Sequence, residues 1–431
     1  MNYKETVEYL FNSTPVFEKV GASAYKEGLY NTFELDKHFG HPHRKFKTIH
    51  IAGTNGKGSC SHTLAAILQS EGYKVGLYTS PHLVDFRERI KINGTCISEE
   101  YVVDFVKKEK DFFEPLHPSF FELTTALAFK YFAENNVDIA VIEVGLGGRL
   151  DCTNIITPVV SVITNISFDH TQFLGNTLAK IAGEKAGIIK HNVPVVVGEY
   201  NNETKPVFEA KADKENSELI FAEDNKLIIS ATHEVNGGTS YVTDGYGIIK
   251  GELAGDYQIK NANTILNVVR VLEKQSIITD KKCVALGFGH VVELTGLMGR
   301  WQKIKDSPLT ICDTGHNVGG WEYLSKQIAR QKCDTLRIVF GMVDDKDIDH
   351  VMDMLPKNAR YYFTQASTHR AIPVEKVVQN GSRHGLNGSC YDNVASAYDA
   401  VMSEAGSDDF VFIGGSSYVV ADLLSYLQSD N

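Results

Sequence analysis

Seven cysteines in 431 residues, at positions 60, 96, 152, 283, 312, 333 and 390, are too few and too scattered to build a framework. Their number is odd and no two form a C-x-x-C pair, which excludes a zinc knuckle and predicts a reduced, cytoplasmic protein. No apolar run approaches the ~20 residues that a spanning helix needs. The opening "MNYKETVEYLF" is charged and amphipathic and has no signal-peptide core, so no membrane association is expected. Basic residues are outnumbered, 43 against 54, giving a formal charge of -11. That excludes a protein that coats nucleic acid. It leaves anion binding open, because a few placed amides and one lysine suffice locally. Short-period repeats and low-complexity segments are absent as well.

What is present is ordinary globular composition, 43% hydrophobic and 23% charged, in a chain long enough for two or three domains. From Phe46 onward short apolar runs alternate with helical patterns. "FKTIHIAG", "KVGLYTS", "VDIAVIEVG", "VVSVITNIS" and "VPVVVGE" read as buried strands, and "CSHTLAAILQSEGY" and "FELTTALAFKYFAENN" as helices between them. Buried strands alternating with helices predict an α/β domain with a mostly parallel sheet. Residues 219 to 253 read as a small antiparallel β-rich excursion, with turn signals at "NGG" and "DGYG". "DYQIKNANTILNVVRVLEKQ" returns to helix. A boundary is predicted within "VVELTGLMGRWQKI", dividing the chain into 1–296 and 297–431, and a second α/β pattern follows it.

Six stretches carry chemistry. In "IHIAGTNGKGS" a strand leads through Gly53, Gly56 and Gly58 into a helix. That suits close backbone approach to phosphates, with helix-start amides pointing at the anion. Lys57 can sit between the terminal phosphates. The spacing departs from the common G-x-x-x-x-G-K-[ST] loop, because Gly58 stands where the metal-binding hydroxyl is expected. In "VIEVGLGGRLDCTN", Glu143 ends a buried strand, where open α/β sheets place ligands, and a carboxylate there can hold magnesium. In "VITNISFDHTQFLG" another strand ends at Asp169 and His170, the latter a metal ligand or a hydrogen-bonding partner. In "YTSPHLVDFRERIKING", Ser80 precedes Pro81 and is biased toward extended backbone. It is a candidate for the hydroxyl that Gly58 cannot supply, or simply the start of a turn. Lys185 in "IAGEKAGIIK" follows the His170 loop. In "MGRWQKI" and "CDTGHN", Arg300 can reach phosphates and Asp313 a ribose, with His316 beside them; a salt bridge and a helix cap are the plainer alternative.

Together, "GTNGKGS", "SPHL" followed by "FRERIKING", "IEVGLGGRLDCTN", "EKAGI" and "DTGHN" resemble the folylpolyglutamate synthase and dihydrofolate synthase family, within the Mur ligase superfamily. The resemblance runs over nearly the whole chain, and "EVGLGGRLDCTN" is its most specific part. It implies a P-loop ATPase domain with a mostly parallel sheet, a smaller Rossmann-like C-terminal domain, and a site between them. It implies ATP phosphates on Thr54, Asn55, Gly56, Lys57, Gly58 and Ser59, with Asn261, Arg300, Asp313 and His316 closing on the nucleotide. Two magnesium ions are implied, held by Ser80, Glu143, His170 and a carbamylated Lys185; Lys57, Lys185, His170 and Glu143 form the implied catalytic set. The pterin substrate is expected along Ser119, Phe120, Phe121 and Glu122 and along Leu150, Asp151 and Cys152, with "AYKEGL" near the N-terminus contributing. The implied activity is ATP-dependent addition of L-glutamate to a folate-type carboxylate, dihydropteroate or a tetrahydrofolate polyglutamate, through an acyl phosphate, by a monomer. Two departures stand out: Met298 occupies a position where the family often has proline, and the N-terminal stretch does not closely match the dihydropteroate-binding pattern. Rival readings are a Mur-type ligase acting on a cell-wall precursor, and a P-loop switch or kinase that does not ligate.

Overall fold

A computed structural model describes residues 1–13, 28–234, 237–344 and 346–429. The "AYKEGL" stretch lies mostly outside the described residues. The chain divides into two compact units. One comprises Met1–Glu234, Thr239–Glu252 and Gln258–Leu297; the other takes Leu253–Tyr257 together with Met298–Asn431.

Among the described residues the first unit is built on an eight-stranded sheet: β1 Lys47–Ala52, β2 Val75–Tyr78, β3 Ile90–Ile92, β4 Thr95–Cys96, β5 Ile139–Glu143, β6 Val160–Ile163, β7 Val195–Val197 and β8 Leu219–Phe221, in the spatial order β4-β3-β2-β5-β1-β6-β7-β8. The six strands from β2 to β8 in that order run parallel, and the β3–β4 pair adds an antiparallel edge. β5 and β6 are buried along their whole length, which accounts for their continuous apolar runs. Helix Lys57–Glu71 and helix Gln258–Lys274 cover one face through Leu64, Ile67, Ile265 and Val269 against Ile49, Ile51 and Val162. Helix Phe120–Glu134 covers the other through Leu127, Phe129 and Phe132 against Ala140 and Ile142. No helix among the described residues is long and apolar enough to cross a membrane.

The expected excursion begins later than the sequence predicts. Leu219–Phe221 belongs to the main sheet, parallel to β7, because its three apolar residues extend the buried edge. The antiparallel part is β9 Ile228–His233, β10 Thr239–Thr243 and β11 Gly247–Gly251.

Among the described residues the second unit carries a six-stranded sheet: β12 Gln302–Asp306, β13 Leu309–Asp313, β14 Leu336–Phe340, β15 Arg360–Thr364, β16 Gly388–Tyr391 and β17 Phe410–Gly414, ordered β12-β13-β17-β14-β15-β16. Only β12 is antiparallel. Trp321, Phe340 and Phe412 meet in its core. Both units are thus α/β with mostly parallel sheets.

Candidate active site

Register decides what meets at the rim of the larger sheet. The order β2-β5-β1-β6 sets four parallel strands side by side, so their carboxyl ends open on one edge. β2 runs into Ser80, β5 ends in Glu143, β1 runs into the glycine loop and β6 runs toward Asp169 and His170. Ile51 is in register with Glu143, and the Val144 amide donates to the Ile51 carbonyl at 2.9 Å. Adjacent strands lie ~4.8 Å apart, so the four loops share a rim roughly 15 Å wide.

The glycine loop is held from β6. The Thr54 amide donates to the Asn165 carbonyl at 3.0 Å, and the Asn55 amide to Asn165 Oδ1 at 2.8 Å. Thr54 Oγ1 accepts from the Ser167 amide at 3.1 Å and donates to its carbonyl at 3.2 Å; Thr164 Oγ1 donates to the Asn55 carbonyl at 2.5 Å. Thr54 and Asn55 therefore spend their amides on the fold. The next four amides, those of Gly56, Lys57, Gly58 and Ser59, stand at the start of the Lys57–Glu71 helix, where first-turn amides have no intrahelical partner. Glycine is required at two points: a Cβ on Gly53 would lie 1.8 Å from Thr164 Oγ1, and one on Gly56 2.4 Å from Asn261 Oδ1, both at positive φ. Asn261 Nδ2 donates to Gln258 Oε1 and Gln258 Nε2 to Ser59 Oγ, so the Gln258–Lys274 helix grips the loop from its other side.

Two lysines crowd the same loop. Lys57 Nζ donates to the carbonyls of Gly53 and Thr54 at 3.0 and 3.2 Å, and Lys185 Nζ to that of Gly53 at 2.9 Å. Lys185 is 5% exposed, and its pKa is pushed down to about 7, first by burial and then by the Lys57 charge, against the pull of Asp169 and Asp151. Lys185 sits on helix Leu178–Ala186, capped just beyond the His170 segment by Thr177, whose Oγ1 accepts from the Lys180 amide at 3.2 Å. His170 itself adopts the left-handed region, φ 49°, at the head of the Thr171–Leu174 turn, and Asp169 Oδ1 accepts its amide at 2.9 Å.

The loop that follows Glu143 is closely packed by Phe121, Leu174 and the Lys185 helix. A Cβ on Gly145 would meet the Phe121 ring at 2.5 Å, one on Gly147 would meet Leu174 at 2.9 Å, and one on Gly148 would meet the carbonyls of Glu184 and Lys185 at 2.8 and 3.0 Å. Asp151 staples this loop: its Oδ2 accepts from the Leu146 amide and its Oδ1 from the Thr153 amide and hydroxyl. In the "SFFE" stretch, Ser119 and Glu122 form a reciprocal capping box on helix Phe120–Glu134, and Phe120 is core, stacked on Phe11 at 4.6 Å. Phe121 is the member that faces the loop. Leu150 and Cys152 flank Asp151, half-buried.

In the second unit Asp313 ends β13, fully buried. Its Oδ2 accepts from the Tyr257 hydroxyl at 2.6 Å and the Trp301 amide at 2.7 Å, and its Oδ1 from the Gly315 amide at 2.8 Å. Burial raises its pKa, opposed by the Tyr257 bond and Arg300. Arg300 reaches the Thr314 hydroxyl and the Gly299 carbonyl, and His316 Nδ1 lies 3.0 Å from the Thr314 carbonyl.

Asn165 and Gln258 hold the glycine loop and, in the second unit, Tyr257 holds Asp313; motif spacing singled out none of the three. The only available signal was their place at the ends of elements already tied to the loop. Among the described residues no three His, Cys, Asp or Glu side chains form a metal cluster. A cation at this rim would therefore take a minority of its ligands from the protein and the rest from phosphate oxygens and water, which is how magnesium is ordinarily bound at phosphate sites. Ser80, Glu143 and His170 follow or end three of the four strands that open on this rim.

Comparison with known proteins agrees with the geometry. Residues 51–269 match the Mur ligase middle domain, and residues 299–417 the Mur ligase glutamate ligase domain. The dihydrofolate synthase/folylpolyglutamate synthase of Bacillus subtilis is 34% identical over 416 residues, covering 94% of this chain and 95% of that protein. The folylpolyglutamate synthase of Lacticaseibacillus casei is 32% identical over 433 residues, covering 98% and 97%. Among solved structures, Escherichia coli FolC in complex with DHPP and ADP superposes with a TM-score of 0.84 at 29% identity, covering 100% of this chain and 98% of that one. The motifs, the rim they build and these likenesses agree: the chain belongs to the folylpolyglutamate synthase/dihydrofolate synthase family of Mur ligases.

Proposed function

We propose that the chain is an ATP-dependent ligase that joins the amino group of L-glutamate to the carboxylate of a folate-type pterin. The observation that carries this reading is the convergence of the glycine loop, Glu143, the Asp169–His170 segment and two lysines on one sheet rim. Family relatives named for this activity, and a related structure described with DHPP and ADP, support it.

A carboxylate is a poor electrophile because its charge is delocalised. In our reading a pterin carboxylate oxygen attacks the γ-phosphorus of ATP; the new O–P bond forms as the bond to ADP breaks, and ADP leaves with the electron pair. The amine lone pair of glutamate then attacks the acyl phosphate carbon. The tetrahedral intermediate collapses, phosphate leaves with its electron pair, and the ammonium proton passes to solvent. This chemistry needs positioning and charge neutralisation more than a protein nucleophile. The amides from Gly56 to Ser59 and Lys57 Nζ supply positive charge where the phosphoryl group moves. We assign Ser80, Glu143 and His170 to magnesium, which when bound would neutralise phosphate charge. Asn261, Arg300, Asp313 and His316 are assigned to the nucleotide, with Asp313 acting through the loop it organises. Phe121 is the pterin-facing member of its stretch.

Lys185 is assigned as a carbamate. Its position supports this: a buried amine whose pKa lies near 7 is partly neutral at physiological pH. The Nζ lone pair attacks carbon dioxide, an N–C bond forms, one C=O pair moves onto oxygen, and a proton is released. The product is an anion beside Lys57, which offsets the crowding of two cations.

The experiment is product analysis with ATP, glutamate and either dihydropteroate or tetrahydrofolate. Glutamate-dependent ADP release with a lengthened folate product is expected. ADP release that ignores glutamate, or a product from a cell-wall acceptor alone, would overturn the assignment.

A further inference from the structure

One buried hydrogen-bonded chain at the rim has no part in the scheme above. His50 lies in the middle of β1, in register with Ile142, and is fully buried. Its Nε2 lies 2.8 Å from Thr153 Oγ1, and that hydroxyl lies 2.5 Å from Asp151 Oδ1. Thr153 is likewise fully buried.

The proton inventory fixes the direction of the chain. Both oxygens of Asp151 receive main-chain donors, Thr153 on Oδ1 and Leu146 on Oδ2, as suits an acceptor-only carboxylate. The single Thr153 hydroxyl proton then points to Asp151, and the hydroxyl oxygen accepts from His50 Nε2–H. The other ring nitrogen, Nδ1, is buried with no hydrogen-bond partner among the described residues. A proton there would put a charge in an apolar interior, and burial pushes the ring's pKa down to about 3. His50 is thus locked as the neutral Nε2–H tautomer. A hydroxyl that accepts from one neighbour donates more strongly to the next.

The far end of this chain is the loop that sets the site. Asp151 holds Leu146, and the adjoining glycines pack against Phe121, Leu174 and the Lys185 helix, two residues beyond Glu143 at their nearest. We propose that His50 and Thr153 are positioning residues of the ligase site: through Asp151 they fix the Val144–Arg149 loop, and with it the relative placement of Glu143, Phe121 and the Lys185 helix. The proposal rests on the ligase reading for its kinetics alone; the tautomer stands apart from it.

The test combines two readouts on the full chain. Long-range proton–nitrogen correlation with ring-labelled histidine reports the His50 tautomer, assigned by its loss in His50→Gln. Nε2–H is expected, with a shifted signal in Thr153→Val; protonation on Nδ1 overturns the proposal whatever the kinetics of the variants. In the ligase assay, Thr153→Val and His50→Leu should each lower kcat ~10- to 100-fold, the scale of a small misplacement at a reacting centre, with KM for ATP within about threefold. Thr153→Ser and His50→Gln, which keep the hydroxyl and the N–H donor, should recover most of that loss. The double variant His50→Leu/Thr153→Val should be no worse than the poorer single one, since both cut the same chain. Additive losses, or no recovery in Thr153→Ser, would reduce the pair to packing and overturn the proposal. An unaltered chain with no glutamate-dependent ADP release would sink the ligase reading, while the tautomer would still decide this one.

Discussion

The two units meet the same problem at the carboxyl ends of their sheets and resolve it differently. Each buries an aspartate there and surrounds it with donors: Asp151 with the Leu146 and Thr153 amides and the Thr153 hydroxyl, Asp313 with the Trp301 and Gly315 amides and the Tyr257 hydroxyl. In both, burial raises the carboxyl pKa and the donors oppose it. The surroundings diverge. Beside Asp151 two lysines converge on one carbonyl, and burial brings one of them to the edge of neutrality. Beside Asp313 the nearby cation, Arg300, reaches a hydroxyl and a carbonyl, and no such shifted lysine accompanies it among the described residues. The first rim keeps charge available for chemistry; the second commits its charge to the shape of a loop. A buried carboxylate that gathers the donors of a loop is therefore a scaffold in both places, and the lysines distinguish the rim to which the proposed function assigns the chemistry.

The sharpest way to break this contrast is Lys57→Ala. If the first rim works by presenting charge, ligation should fall at least ~10²-fold, as when a single stabilising donor is removed elsewhere. Thermal unfolding should stay close to that of the unaltered chain, because the bonds of Lys57 to Gly53 and Thr54 stay within its own loop. Near-normal turnover in a steady-state assay would remove the distinction between the rims.

Next comes the neutral fraction of Lys185. Its folded pKa, about 7, lies below the ordinary lysine value of 10.5, so the unfolded chain binds more protons between these pH values. Stability should therefore rise with pH across that window, and the contribution should be lost as pH falls through about 7. Carbamylation needs the neutral amine and should follow the same limb. Intact mass at controlled carbon dioxide, with lysine-specific peptide mapping, should show one added carboxyl group on Lys185 that fades as pH falls. An unmodified Lys185 in fully active protein would refute the assignment.

Asn165→Ala should have an intermediate effect. It removes the acceptor for the Asn55 amide, leaving that donor partly buried without its partner at a cost of ~1–3 kcal/mol. KM for ATP should rise about tenfold, the equivalent of ~1.4 kcal/mol. Unchanged ATP affinity in the alanine variant would show that the loop needs no latch from β6.

These residues also mark how far the sequence could be read. Buried parallel strands announce themselves as continuous apolar runs, so β1, β2, β5, β6 and β7 were legible, and the rule that ligands gather at their carboxyl ends pointed to one rim. Short or polar edge strands carry no such signal: Ile90–Ile92, Thr95–Cys96 and Gly388–Tyr391 gave no reading of their own. The latch was hidden for another reason. Asn55 and Asn165 lie 110 residues apart, and nothing in either local pattern says that one amide will find the other's side chain. The same holds for His50 and Thr153, a histidine inside an apolar strand and a threonine 103 residues later in the short Cys152–Ile155 turn, brought together only by the tertiary fold.

The smallest expected effect sharpens the comparison from the other side. Tyr257→Phe deletes one of the donors to Asp313 and leaves the ring in place. Asp313 keeps its amides from Trp301 and Gly315, so the loop should hold, at a stability cost of ~1.5–3 kcal/mol for one charge-assisted bond. With one donor fewer, the Asp313 pKa rises further. A carboxyl whose folded pKa is raised favours the folded state below its unfolded value and loses that contribution as pH rises through the folded pKa. The variant's deficit should thus be larger at neutral pH than in mild acid, as read by urea unfolding at the two conditions, while turnover changes by less than about threefold. A collapse of activity on the scale of Lys57→Ala would mean that Asp313 acts as more than a scaffold, and the two rims would have to be regarded as equally reactive.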